Sequence, residues 1–229
     1  MSLPKIQSSS KISTIGSKKL KIRAYTGKEE KAILMAKMQK DPQALIQTII
    51  DVLSTCCDHD VSTLTQGEFE RLFIDIRSIS VSDMFEPNLA CQHCKESTPV
   101  KIPARSLKDP ETFVSELVLE VGKDAAGASI FVKLKTPTIG DLTRFSKDEE
   151  SDMRIIHAST SSVYTSTGET FEFEYEEFRD WFESLTGVYM QAVLFVKDSP
   201  SVTYSKTFKC IHCKKDTEFK IEGLQSFLA

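Results

Sequence analysis

The sequence predicts an α+β protein. It has an N-terminal strand and helices, a ribbon split into two cysteine knuckles, and a mixed, largely helical insertion between the knuckles. Three observations carry this. A twelve-residue element occurs twice, as CQHCKESTPVKI from Cys91 and CIHCKKDTEFKI from Cys210, with seven identical positions. Apolar residues recur at helical spacing before the first copy and again between the copies. Strand-like segments at 129–135 and 202–209 supply the β component.

Taken in order, residues 1–17 read as a Ser-rich basic arm without a core of its own. Residues 1–28 hold seven Lys or Arg (Lys5, Lys11, Lys18, Lys19, Lys21, Arg23 and Lys28) and no acid. Such an arm can dock on nucleic acid or an acidic partner, or stay a solvated tail. Residues 18–85 form the N-terminal strand and helical region. Leu20, Ile22 and Ala24 alternate through a strand over 17–25. Residues 27–39 are good helix formers, and Asp41-Pro42 caps and opens a second helix. That helix sets Leu45, Ile49, Val52, Leu53 and Cys56 on one face, with Cys56-Cys57 as buried thiols at its end. Thr65 and Glu68 make a capping box for a third helix striped by Phe69, Leu72, Phe73 and Ile76.

Residues 86–102 are the first knuckle, 103–201 the insertion, and 202–229 the second knuckle with a closing helix over 223–228; all are expected in one composite domain. Within the insertion, 138–147 and 152–159 are short helices, the first capped near Thr138. After a turn at Thr167-Gly168, Phe171, Phe173 and Tyr175 alternate with glutamates. Phe178, Trp181, Phe182 and Leu185 then mark an amphipathic helix, continued after Gly187 by a stripe that includes Leu194 and Phe195. Ser199-Pro200 ends it.

The repeated Cys-x-x-Cys carries the chemistry. Each turn points two sulfurs to one side, and two turns complete a closed tetrahedral site. Cys91, Cys94, Cys210 and Cys213 are therefore expected to hold one structural Zn²⁺ per chain, with His93 and His212 as the alternative ligands. Four thiolates leave no position for substrate or water, so this zinc builds structure and performs no catalysis. A redox-active Cys-x-x-Cys would occur once, beside a βαβ pattern that this chain lacks; two structural disulfides are the other alternative. Lys95 and Lys214, each following the second cysteine, can soften the thiolate charge. The 115 residues between Cys94 and Cys210 are too many for a loop, so the metal would clamp a folded segment.

The rest of the sequence narrows the function by what it lacks. A net charge of −4 gives no global basic field, and 40% hydrophobic with 27% charged residues is ordinary globular composition. No apolar run approaches the length of about 18 residues needed to cross a bilayer, and the start is not that of a secretory signal. Cysteines arranged for a metal favour a reducing cytosol. His-Glu-x-x-His, Gly-x-Ser-x-Gly, Walker and Rossmann patterns are missing. His59, between Asp58 and Asp60, belongs to a loop, and His157, beside Ile155 and Ile156, to a packed helix. Glu172, Glu174, Glu176 and Glu177 form the wet face of a strand entering a helix N-terminus, where acids favour the dipole. The chain is expected not to be an enzyme.

The ordered set of parts resembles the T4-like bacteriophage baseplate hub (hub assembly) protein family. The resembling stretches are KLKIRAYTGKEEK over 19–31, LFIDIR over 72–77, EFRDWFESLT over 177–186, the Ser199-Pro200 break, the two knuckles, and GLQSF over 223–227. The resemblance spans roughly 18–228. It implies a non-enzymatic factor of a contractile tail, either retained in the virion baseplate or acting as a transient assembly chaperone. It also implies partners among hub, tape-measure and other tail proteins in the host bacterial cytoplasm. The alternative from the residues themselves is a nucleic-acid-binding zinc ribbon, using Lys95, Lys101, Lys214, Lys215 and Lys220 with the basic arm. Few aromatic side chains interleave with those lysines to stack bases.

Overall fold

The computed structural model describes residues 9–223. In chain order the elements are β1 (Ser10–Ile15), β2 (Lys18–Arg23), α1 (Gly27–Met38), α2 (Pro42–Cys56), α3 (Gln66–Ser80), β3 (Met84–Phe85), β4 (Asn88–Ala90), β5 (Ser97–Pro99) and β6 (Ile102–Pro103). Then follow β7 (Glu116–Lys123), β8 (Ser129–Lys135), α4 (Ile139–Arg144), α5 (Ser151–Ser159), β9 (Thr160–Thr165), β10 (Thr170–Phe171), α6 (Tyr175–Glu183), α7 (Tyr189–Lys197), β11 (Thr203–Lys209) and β12 (Asp216–Glu222). The mixed α+β class is as the sequence predicts. The described residues fold as two compact units: 9–61, Gly67–Glu111 and 201–223 make the first, and Ser62–Gln66 with Thr112–Pro200 form the second. The closing helix expected over 223–228 lies outside the described residues beyond Gly223.

In the first unit the segment expected as a coreless arm is a strand over Ser10–Ile15. It pairs antiparallel with β2 through the two-residue loop Gly16-Ser17, where Gly16 takes a left-handed φ of 55°. The arm reading misses it because the inward face carries Ser13 and Ile15 while Ile12 faces water, so polarity does not alternate. Ser13 turns inward because its hydroxyl donates to the Asp75 carboxylate on α3. β2 buries Leu20 and Ile22, as expected. Its neighbours fix it by charge and backbone: Lys18 Nζ lies 2.6 Å from Glu68 Oε2, and the Lys21 N–H donates to Asp58 Oδ1 at 2.9 Å.

Glu29, in the first turn of α1, gathers three elements. It accepts from the Thr26 N–H at 2.6 Å and from the Thr26 hydroxyl at 3.0 Å, closing a capping box. It also accepts from Arg23 at the end of β2 (2.6 Å) and from the Thr55 hydroxyl of α2 (2.9 Å). The Arg23 bond leads in holding its carboxyl down at about 2, from an ordinary 4.5. α2 starts where the sequence places it, with Asp41 accepting from the Gln43 and Ala44 N–H groups and Pro42 in the first turn. Burial pushes the Cys56 and Cys57 thiols at its end up. α3 buries Phe69, Leu72, Phe73 and Ile76. On it Ile74 packs with Phe85, Ile102, Val202, Tyr204 and Ile221. The fully buried Glu70 accepts the Val202 N–H at 2.8 Å and so fastens the start of β11.

The second unit holds a four-stranded antiparallel sheet, order β10-β9-β8-β7, and the helices α4 to α7. Two of its strands escape a sequence reading for opposite reasons. β7 carries Leu117, Val118 and Leu119 in succession, with Val118 49% exposed, so the alternation is hidden. β9 is Thr- and Ser-rich and buries only Val163 among its apolar residues. Thr138 and Asp141 close a capping box on α4. Beside it the Ile139 N–H donates to Leu64 O at 2.8 Å, and a Cβ on Gly140 would meet Ser62 O at 3.0 Å, a space only glycine fits. Phe178 and Phe182 on α6 are fully buried and stacked, centroids 5.2 Å apart. The α7 stripe needs correction: Leu194 is 61% exposed, and Ala192, Val193 and Val196 form the buried face. With Ala192 fully inward, Leu194 lies about 200° around the helix and must face out.

Two outcomes follow. Glu29→Gln should cost about 1 kcal/mol at pH 7 in urea unfolding. Because the folded carboxyl titrates below its unfolded value, this stabilisation is present above about pH 4.5 and lost as pH falls toward 2; the gap between variant and parent should close over that window. A gap unchanged at low pH would refute this account of Glu29. Phe182→Ala should destabilise the second unit by about 4 kcal/mol. Fluorescence of the single tryptophan, Trp181, whose ring lies 6.4 Å from Phe182, reads this out directly.

Candidate metal centre

Each knuckle is a hairpin tip: Cys91 and Cys94 lie between β4 and β5, Cys210 and Cys213 between β11 and β12. The turns are closed by the same backbone bonds. The Cys91 N–H donates to Glu96 O at 2.9 Å and the Lys95 N–H to Cys91 O at 2.9 Å; the Cys210 N–H donates to Lys215 O at 3.0 Å and the Lys214 N–H to Cys210 O at 3.1 Å. Lys95 and Lys214 both take left-handed backbone, φ 63° and 61°, to complete these turns. The Lys214 ammonium donates to Ile211 O at 2.7 Å.

The repeat is larger in the structure than in the sequence. Phe85 pairs with Ile102 in β3–β6, and Asn88, Leu89 and Ala90 pair with Pro99, Thr98 and Ser97 in β4–β5. Tyr204 pairs with Ile221, and Thr207, Phe208 and Lys209 pair with Glu218, Thr217 and Asp216, in the corresponding register of β11–β12. Residues 84–103 and 203–222 are therefore one hairpin twice. The first copy is interrupted where Pro87 and Pro99 remove ladder donors. The second runs unbroken, with Phe208 and Phe219 stacked at 4.1 Å.

The two tips meet as a pair related by a local two-fold. Cys91 Sγ lies 3.7 Å from Cys213 Sγ, and Cys94 Sγ lies 3.7 Å from Cys210 Sγ. All four sulfurs lie within 4.8 Å of one another, with Cys91 and Cys210 buried and Cys94 and Cys213 half-buried. The predicted four residues are thus brought together. The two histidines are not among them. The His93 ring nitrogen Nε2 lies 3.1 Å from Asp216 O, and that of His212 lies 3.3 Å from Ser97 O, each bracing the opposite tip. The backbone N–H groups of His93 and His212 point at Cys91 and Cys210 Sγ, both at 3.4 Å.

Electrostatics within the cluster favour a cation. The Thr217 hydroxyl, 3.1 Å from Cys91 Sγ, together with backbone N–H groups holds the Cys91 thiol down at about 5. Backbone N–H donation, from Cys213 first, also lowers Cys210. At Cys94 the Glu96 N–H pulls down, but burial and the neighbouring sulfurs carry the thiol up to about 12. Charge already in the cluster thus opposes further ionisation, and a bound cation removes that opposition. Tetrahedral thiolate ligation with bonds of about 2.3 Å requires sulfur–sulfur edges of about 3.8 Å. The two 3.7 Å contacts fit that requirement. The arrangement could hold a metal ion as a closed four-sulfur site.

The other sequence candidates do not join it. His157 packs edge-on against Phe173, Tyr175 and Phe178, and burial holds its imidazole below the usual value. Glu172, Glu174, Glu176 and Glu177 are exposed, and Glu176 pairs with Arg179 at 2.7 Å. Among the described residues the four cysteines are the one group placed to share a metal. The residues that sequence reasoning passed over are Thr98 and Thr217, although threonine at that position is one of the seven identities between the copies.

Fold and site together define a two-hairpin thiol ribbon protein of mixed α+β class. A family model described as T4 bacteriophage base plate protein matches residues 5–229, nearly the whole chain, and the chain belongs to that family. No curated protein and no solved structure matches it. The family places the chain among the structural proteins of the phage tail baseplate, which work in contact with other tail proteins. No helix among the described residues is long and apolar enough to cross a membrane.

Cys94→Ser should abolish stoichiometric metal binding, whereas His93→Gln should retain a full complement by elemental analysis. The reverse pattern would make the histidine a ligand. Metal uptake should also release protons and weaken on acidification, since protons compete for the same sulfurs.

Proposed function

We propose that this chain is a non-enzymatic structural and assembly protein of the contractile-tail baseplate hub. One Zn²⁺ held by Cys91, Cys94, Cys210 and Cys213 stabilises its ribbon, and the chain binds hub, tape-measure or other tail proteins. The observation that carries the reading is the family match over 5–229 to a baseplate protein. The closed four-sulfur cluster agrees with it, because it supports metal-stabilised structure and offers no open coordination position for a reaction. Zinc is the metal of choice for four thiolates in a site with no redox demand. Assembly takes place in the host bacterial cytoplasm, where thiols stay reduced and available, and the virion tail is the destination.

The nucleic-acid alternative loses ground at the ribbon itself. Lys101 is paired with Glu86 at 3.4 Å, Lys220 with Glu222 at 2.5 Å, and Lys214 donates to its own turn. Their charge is partly spent within the protein.

The protein purified under reducing conditions should carry about one zinc per chain. It should form a defined complex with purified hub or tape-measure protein, and Cys94→Ser should lose that complex along with the metal. A chain that stays alone in the presence of every tail subunit would defeat the hub reading. Mass spectrometry of finished particles separates a baseplate component, found in the particle, from an assembly chaperone, found only in the lysate. A steep fall of DNA or RNA affinity with salt would instead support the nucleic-acid reading.

A further inference from the structure

The two knuckles share their turn and sulfur contacts, while the exposed side-chain bonds of Gln92 to Glu218 O and of Lys214 to Ile211 O occur once each, and one buried contact beside the sulfurs is also unmatched. The turn bonds, the N–H groups aimed at Cys91 and Cys210, the cross-tip sulfur contacts and the histidine braces all occur in pairs. Thr217, 1% exposed, sets its hydroxyl 3.1 Å from Cys91 Sγ of the opposite hairpin. Its counterpart in the first hairpin is Thr98, which pairs with Leu89 as Thr217 pairs with Phe208. Thr98 is 4% exposed, and its hydroxyl is buried with no hydrogen-bond partner. The two-fold that carries Thr217 and Cys91 onto Thr98 and Cys210 names the missing acceptor: Cys210 Sγ.

We propose that Thr98 and Thr217 are paired positioning residues whose hydroxyls donate to the buried thiolates of Cys210 and Cys91 and thereby raise the metal affinity of the centre. The inference rests on the zinc reading above.

The chemistry supports the pairing. A buried hydroxyl without a partner is unfavourable, and valine would fill the same strand position with no polar atom to satisfy. Four thiolates around one divalent cation leave a net charge of −2 in a buried setting. Hydroxyl donation to sulfur disperses part of that charge, as outer-sphere hydrogen bonds do at metal sites generally. A thiol can donate to a hydroxyl, but a metal-bound thiolate can only accept. Metal loading therefore fixes the direction of the Thr217–Cys91 bond and creates the acceptor that Thr98 lacks.

The test uses the full chain with Thr98→Val, Thr217→Val, Thr98→Ser and Thr217→Ser. Zinc affinity is read by competition with a chelator, and the thiolate-to-metal charge-transfer bands are read after loading with Co²⁺. Each valine variant should bind zinc about tenfold more weakly, and each serine variant should stay within about twofold of the parent. The cobalt bands should shift in the valine variants and not in the serine variants. If Thr98→Val fails to fold, Thr98→Ala against Thr98→Ser supplies the same comparison. A valine or alanine variant that equals the parent in both affinity and spectrum overturns the inference while leaving the zinc reading standing. A parent chain that takes up neither Zn²⁺ nor Co²⁺ overturns both.

Discussion

The meeting of sulfurs across the two hairpin tips, Cys91 with Cys213 and Cys94 with Cys210, is the contact on which the ribbon depends. Each tip alone carries two thiols and a tight turn, which is half a site. Brought together, they join chain segments separated by 115 residues. A metal bound there would crosslink that length of chain, which in chain-entropy terms is worth on the order of 5 kcal/mol, comparable with the net stability of a small domain. Each tip buries one of its two cysteines, Cys91 or Cys210, and leaves the other, Cys94 or Cys213, half-buried.

Around that contact the two copies of the hairpin have diverged for reasons visible in their side chains. The second runs as a continuous ladder because no proline interrupts it and Phe208 stacks on Phe219. The first is split at Pro87 and Pro99, yet Phe85 and Ile102 resume the register beyond the break. They do so because their side chains share a core with Tyr204 and Ile221, the same positions of the other copy. Ile74 of α3 joins that core, and Glu70 on the same helix holds the Val202 N–H. The ribbon is thus built onto the N-terminal helices by one apolar cluster and one buried carboxylate.

Legibility in the sequence tracked the kind of interaction each element relies on. The elements marked by local chemistry were legible: the Asp41-Pro42 start of α2, the Thr138 cap of α4, the stripes of α3 and α6, and the alternation of β8. Elements whose signal lies in a distant partner were not. β1 turns a serine inward because Asp75 waits on α3, and β9 is held by pairing to β8 and β10 with little apolar content of its own. Leu194 looked like core at helical spacing, but the phase of α7 is set by the burial of Ala192 and Val193.

The sequence by itself determined the four sulfurs, their division into two knuckles and the family to which their order belongs, because Cys-x-x-Cys spacing is local and its repetition is plain in one chain. Only the tertiary structure decided the rest of the centre. It set the His93 and His212 rings against carbonyls of the opposite tip, and it extended a twelve-residue repeat to twenty residues in one register. It also put Thr217 beside Cys91. These are contacts between residues more than a hundred positions apart, made only when the two hairpins close on each other, and no local pattern encodes a partner that distant.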